Sequence, residues 1–383
     1  MRARVKTGLA AAASLLLGSA AAAVAAPTAD ARDTFTGPLH TVSTIASTIP
    51  GNGDQNPYGT VAVPQSIGEL HRGHVLVSNF NNAGNLQGTG TTLVQISPTG
   101  DVQQFAQIDP TKLPGPCPGG VGLTTALTIL PGGWVVVGSL PTTDGMSDTA
   151  QAGCLLVLDS HGTVRETLAG NGINGPWDMT SVSDGRRSDL FVTNVLNDTV
   201  AGGGATVNEG TVLRLTLQQE RDDQPPRLVS STEIGSGFGE RTDPVALVVG
   251  PTGVGLSPKG TLYVADSAGN RIAAIPDALK RRDSAGTGRT VSCDGNLNGP
   301  LGLVVAPGGD ILTVNAGDGN LVETSPHGDQ VEVRQLDASG TPPGAGALFG
   351  LAVRPQDHDT RPEDRAVYFV DDATNKLDIL TSP

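Results

Sequence analysis

The chain has 383 residues, with 52 glycines, 27 prolines, three cysteines and a formal net charge of −14. An acidic chain without a basic stripe is a poor partner for phosphate backbones or anionic membranes, so neither nucleic acid nor membrane is expected to bind it. The glycine and proline content suits many short strands joined by turns, and no run beyond the N-terminus is long and apolar enough to cross a bilayer.

Residues 1–25 have a basic start (Arg2, Arg4, Lys6), an apolar middle and small residues at Ala23-Val24-Ala25. They read as a secretory signal peptide, cleaved between residues 25 and 31, and no cysteine follows for lipid attachment. Removing them takes the formal charge from −14 to −17. The expectation is a secreted, extracellular, soluble monomer, with residues 38–383 forming one domain. Residues 32–37 read as a short exposed lead. LHTVSTIAST, at 39–48, reads as a strand with no local partner.

Six similar units follow. The clearest is PLGLVVAPGGDILTVNAGDGNLVE, from Pro300 to Glu323, where two β-branched runs flank a Pro-Gly-Gly turn and the second run stops at Asn315. Thirteen residues separate Gly302 from Asn315, Gly253 from Asp266, and Ala126 from Ser139. Longer turns fill the copies Gly59 to Asn79, Asp178 to Asn194 and Gly350 to Asp371. Blades are expected at about 57–109, 124–169, 176–234, 252–293, 300–336 and 348–380, a period that fits propeller blades. The last unit supplies only part of a blade. The 39–48 strand is therefore expected to complete it, which satisfies edge groups that would otherwise template aggregation. The fold class is all-β, a six-bladed propeller with its last blade closed by the N-terminal strand. Within it, QQERDDQPPRL at 218–228 is a charged excursion from blade 3, and PDALKRR at 276–282 is expected to form one helical turn.

The pattern Pro-x-Gly, apolar run, turn, apolar run, Asp/Asn resembles the NHL repeat. The copies at 251–271, ending YVADSAGNRI, and at 300–322 carry that resemblance best. It implies a six-bladed β-propeller, and a fold alone does not assign an activity. On such a fold Cys117 lies in the loop entering blade 2 and Cys154 begins that blade's third strand. Both fall on one face, so a Cys117–Cys154 disulfide is expected, leaving Cys293 free.

The same topology suggests a binding end. The loops between second and third strands are short in blades 4 to 6 and long in blades 1, 2 and 3, all on one face. Long loops on a rigid scaffold commonly carry binding. The variable residue of Pro-x-Gly recurs around that mouth as Tyr58, Thr125, Trp177, Thr252, Leu301 and Phe349. Three of the chain's twelve aromatics occupy these six places, and they form the expected platform for a small molecule, sugar or peptide. Their competing role is to pack beneath the loops. Asp178 stands where other copies have Gly or Ala, a departure that marks it as the candidate catalytic or binding carboxylate. Asn79 and Asn194 complete the expected ligand set.

Second strands end at Asn79, Ser139, Asn194, Asp266, Asn315 and Asp371, a spacing that suits side chains fixing turns. The functional alternative is an oxygen-rich ring of Asp178, Asn194, Asp266, Asn315 and Asp371 holding Ca²⁺ or another divalent cation. That reading makes the protein a metal-dependent hydrolase or lyase. Gluconolactonase-type lactonases and strictosidine synthase-like propellers are similar in fold, but their inner-strand Glu has no counterpart here. Peptidyl-hydroxyglycine lyases and streptogramin lyases need histidines at the mouth. Here His71, His161, His327 and His358 fall on the opposite face, which argues against a three-His zinc site. The leading expectation is a ligand-binding propeller, the second is the metal enzyme, and the third is an extracellular protein-interaction scaffold.

Overall fold

Each unit opens on a bulge. In blade 1, Pro57 pairs with Asn79 and Thr60 with Val77, so three steps along the inner strand face two along its neighbour. The same offset recurs from Pro176 to Met179, Pro251 to Val254, Pro300 to Leu303 and Leu348 to Leu351. The next blade explains the glycine. A Cβ on Gly302 would collide with the Phe349 carbonyl oxygen, and one on Gly350 with that of Tyr58. The bulge thus brings successive inner strands within backbone contact.

The computed structural model describes residues 34–356 and 360–383; the signal-peptide reading of residues 1–25 lies outside the described residues, as does His358. Six antiparallel sheets form six blades. Blade 1 comprises Gln55–Ala62, Val75–Asn81, Thr92–Ile96 and Val102–Gln107, and blade 2 comprises Leu123–Leu130, Trp134–Ser139, Cys154–Leu158 and Val164–Leu168. Blades 4 and 5 run from Pro251 to Cys293 and from Pro300 to Gln335 in the same four-stranded order. In blade 6, Thr41–Ser47 forms the outermost strand, antiparallel to Lys376–Thr381, with Thr41 opposite Thr381. Inner strands adjoin in ring order, and that of blade 6 adjoins that of blade 1.

Burial follows from this stacking. Second strands are covered on both faces, and every residue of Val75–Asn81 is buried. Their continuous apolar runs therefore fit a strand sandwiched between blades. The cores lie between consecutive blades; Leu76, Leu93, Val135 and Leu156, for example, pack between blades 1 and 2.

Three expectations need correction. Blade 3, expected at 176–234, runs on to Val249: its fourth strand, Arg227–Asp243, has 17 residues and pairs with a fifth, Leu247–Val249. Residues 276–280 form a turn and not a helix: the Asp277 carbonyl accepts the Lys280 and Arg281 N–H groups, each at 2.9 Å, but Asp277 itself is left-handed (φ 54°), so no second turn adds to this one. The lead is not exposed either: Phe35 and Thr36 are buried, held by the side chain of Glu323. The disulfide joins Cys117 to Cys154, and Cys293 is free and exposed.

Candidate functional site

All six inner strands become more accessible in the same direction. In Pro176–Asp184, Pro176 and Trp177 are buried, Asp178 is half-buried, and Val182 to Asp184 are exposed. Val61, Ala62, Ile129, Leu256, Val304, Val305 and Val353 show the same trend at the ends of their strands. These strands enclose a cavity of about 260 Å³, lined by residues that include Thr60, Thr125, Trp177, Asp178, Ser181 and Val254. Its lining runs toward the turns between first and second strands, as far as Ala62, Ser181, Val305 and Pro355.

The loop-covered end is closed. Tyr58 stacks on Phe349 at 4.0 Å between ring centroids and on Phe80 at 4.4 Å, and it meets Trp177 at 5.7 Å. Trp177 and Tyr58 are each 1% exposed. The loops interlock above them: the Thr142 N–H donates to the Gly88 carbonyl at 3.0 Å, and Gln87 Nε2 donates to the Pro244 carbonyl at 3.1 Å. The expectation of an open platform of Tyr58, Trp177 and Phe349 under the loops is corrected on this point. Their area is spent on one another, because burying flat apolar rings together removes more surface from water than leaving them at a wet rim. Trp177 still reaches the cavity, from its closed end.

Among the described residues, Asp178 is the only ionisable group in the cavity lining. Its Oδ2 accepts the Val254 N–H of the next blade at 3.1 Å, and its Oδ1 accepts the Met179 N–H at 2.8 Å. Burial nevertheless outweighs these bonds and pushes the carboxyl up to about 8. At neutral pH it therefore holds a proton and can donate a hydrogen bond.

Blade 2 departs from the repeat. Leu123 pairs with Ser139 and Leu127 with Val137, one residue more than in the other bulges. Thr124, not Thr125, is therefore the counterpart of Tyr58, and the hydroxyl of Ser78 donates to the Thr124 carbonyl just as that of Thr193 donates to Thr252. Thr125 falls instead at the glycine position, next to Asp178 in the neighbouring blade, and its hydroxyl is bonded to the Trp177 carbonyl. The two non-glycine residues at this level of the channel are thus adjacent. Sequence spacing missed the pair, because a one-residue bulge leaves no mark until the strands are registered.

The other candidates lie apart from the channel. Asn79 Nδ2 donates to the Thr48 carbonyl at 2.9 Å, Asn194 Oδ1 accepts the Asn174 N–H at 3.0 Å, and Asn315 Nδ2 donates to the Asn296 carbonyl at 2.8 Å. Each fastens the segment that leads into its own blade. Asp266 accepts from Arg271 Nε at 2.8 Å and Asp371 from the Thr374 N–H at 3.1 Å. The proposed ring of Asp178, Asn194, Asp266, Asn315 and Asp371 therefore does not converge on one point. Among the described residues, no three His, Cys, Asp or Glu are grouped to hold a metal ion. This donor set does not fit a divalent cation, and no chemical step is derived through one.

No protein-family model and no curated protein matches the chain. Among solved structures it is similar to a gluconolactonase from Xanthomonas campestris, with 14% identity, 89% of each chain covered and a TM-score of 0.54. It is also similar to a luciferin-regenerating enzyme, with 12% identity, 89% of this chain and 95% of the other covered, and a TM-score of 0.53. The calcium-binding protein regucalcin from Agrobacterium tumefaciens matches at 12% identity over 88% of this chain and 93% of its own, with a TM-score of 0.51. At these identities the likeness is one of fold, and the chain is a six-bladed propeller with gluconolactonase-like structural neighbours.

Proposed function

We propose that this chain is an exported, NHL-type propeller that holds a small, uncharged molecule in its axial channel, with Asp178 as the group that recognises it. One observation carries the reading: a single carboxyl, kept protonated by burial, lines a cavity of about 260 Å³ that otherwise offers hydroxyls and aliphatic walls. A neutral carboxyl in an apolar site donates a hydrogen bond to a carbonyl or ether oxygen. Among the described residues no Lys, Arg or His lines the cavity, which gives an anionic ligand no countercharge from them. The class that fits is a compact molecule bearing a carbonyl or ring oxygen, such as a lactone or a sugar.

A thermal-shift screen of lactones, monosaccharides and short peptides tests this. The wild type is expected to be stabilised by at least one lactone or sugar, and Asp178→Ala to lose that stabilisation. Equal shifts in both proteins would remove Asp178 from the site. Elemental analysis before and after chelation addresses the metal-dependent lactonase or lyase reading separately. That reading requires a stoichiometric divalent cation whose removal lowers stability.

A further inference from the structure

On the loop-covered face, where blades 6 and 1 meet and Val245 reaches in from the end of blade 3, lies a hollow of about 340 Å³. Its walls carry amides, among them Asn56, Asn81, Asn85, Gln87 and Asn375, and the Asp372 carboxyl, with Val245 and Ala373 beside them. The volume falls in the range of small-molecule sites. Among the described residues no Lys, Arg or His lines it, which disfavours an anion, and its walls present little apolar surface to an apolar guest.

These groups are held in place. Asn56 has a left-handed backbone (φ 65°), and its N–H donates to Asn375 Oδ1 at 2.7 Å, joining blade 1 to blade 6. With its amide turned to donate to Asp372, the Asn56 oxygen accepts from Asn81 Nδ2 at 3.0 Å. Asn81 Nδ2 also donates to Asn85 Oδ1 at 2.8 Å. Gln87 Nε2 is taken by the Pro244 carbonyl, and its buried Oε1 has no partner. Vicinal hydroxyls both donate and accept, and planar amides present a donor and an acceptor at fixed spacing. A bare cation instead needs six or more oxygens at about 2.4 Å, which a hollow of this size does not enforce.

We propose that this cup binds a neutral sugar residue, with Asp372 and Asn85 as its principal hydrogen-bonding groups. Burial and the neighbouring Asp371 push the Asp372 carboxyl up, while the turned Asn56 amide, which donates to it, favours its role as acceptor for a sugar hydroxyl. The cup shares no lining residue with the axial channel, although its Asn56 also bonds the Tyr58 hydroxyl of the plug.

Saturation-transfer NMR with glucose, galactose, mannose and N-acetylglucosamine tests it. At least one sugar is expected to receive saturation from the wild type. The double variant Asp372→Ala/Asn85→Gly is expected to weaken that binding by about tenfold or more, from the loss of hydrogen bonds to a carboxyl and an amide. Saturation of the cup's sugar is expected to persist in Asp178→Ala, whose channel lacks the group proposed to hold a ligand there, and to be lost when the cup substitutions are added to that variant. Asn85→Gly alone keeps the left-handed backbone of this exposed position and supplies the same reading should the double variant fail to fold. Saturation of none of the four sugars, or equal saturation by the cup variants, would overturn the proposal. Loss confined to Asp178→Ala would also overturn it, by moving the sugar to the channel.

Discussion

The carboxylate of Glu323, fully buried in the third strand of blade 5, accepts the N–H of Thr36 at 2.8 Å across 287 residues of sequence. It also accepts the Phe35 N–H at 2.6 Å and the Thr36 hydroxyl. Arg365 of blade 6 lies 5.4 Å over the Phe35 ring. The segment before the closing strand is thus clasped between the last two blades, so ring closure rests on side chains as well as on the strand ladder.

Glu323→Ala leaves two backbone donors buried without an acceptor. The expected cost is about 2–4 kcal/mol, read as a lower denaturant midpoint, and Glu323→Gln should recover part of it by keeping one acceptor oxygen. Deleting residues 38–48 removes the outer strand of blade 6 and exposes the edge of Lys376–Thr381; this variant should aggregate. A soluble, monomeric deletion product in size-exclusion chromatography would contradict the role given to the closing strand.

Trp177→Ala removes the blade 3 ring from the plug. A side chain 1% exposed and packed on Tyr58 should cost about 3–5 kcal/mol when truncated, with Trp177→Phe milder. Thermal or chemical unfolding measures this directly. An unchanged midpoint would mean that the rings are not a structural closure.

Replacing Cys117 and Cys154 by serine opens a loop with a sequence separation of 37 residues. Chain entropy predicts a loss of about 3–4 kcal/mol. Reducing agent should lower the wild-type midpoint by a similar amount and leave the double variant unaffected.

Stability should fall as pH rises from about 4 to about 8. Asp178 is pushed to about 8 and Glu240 and Asp372 to about 7, in each case chiefly by burial. Between the unfolded and folded values the unfolded chain releases these protons first, so ionisation favours unfolding throughout that window. Asp109, Asp144 and Asp159 work on the acid side: each is lowered, so its contribution is present above pH 4 and lost as pH drops further. His74, lowered by burial, opposes the neutral trend as a single group. Differential scanning calorimetry should therefore find the highest melting temperature in mildly acid buffer. In Asp178→Asn the decline toward pH 8 should flatten.

The repeated apolar runs, the Pro/Gly turns and the orphan strand at 39–48 were enough to specify six blades and their closure. Strand alternation and hairpin turns are local, and a two-stranded unit must stack to survive in water. Topology also made the pairing of Cys117 with Cys154 legible, since it places both on one face. The orientation of the site was not legible. Which end of the channel is shut depends on Tyr58, Trp177 and Phe349 meeting from blades 1, 3 and 6, and on loops that lock through Gln87, Thr142 and Pro244. The placement of Thr125 beside Asp178 turned on one extra residue in a bulge. These are contacts between segments far apart in the chain, set by volume and register, and no local pattern encodes how such volumes fill a shared space.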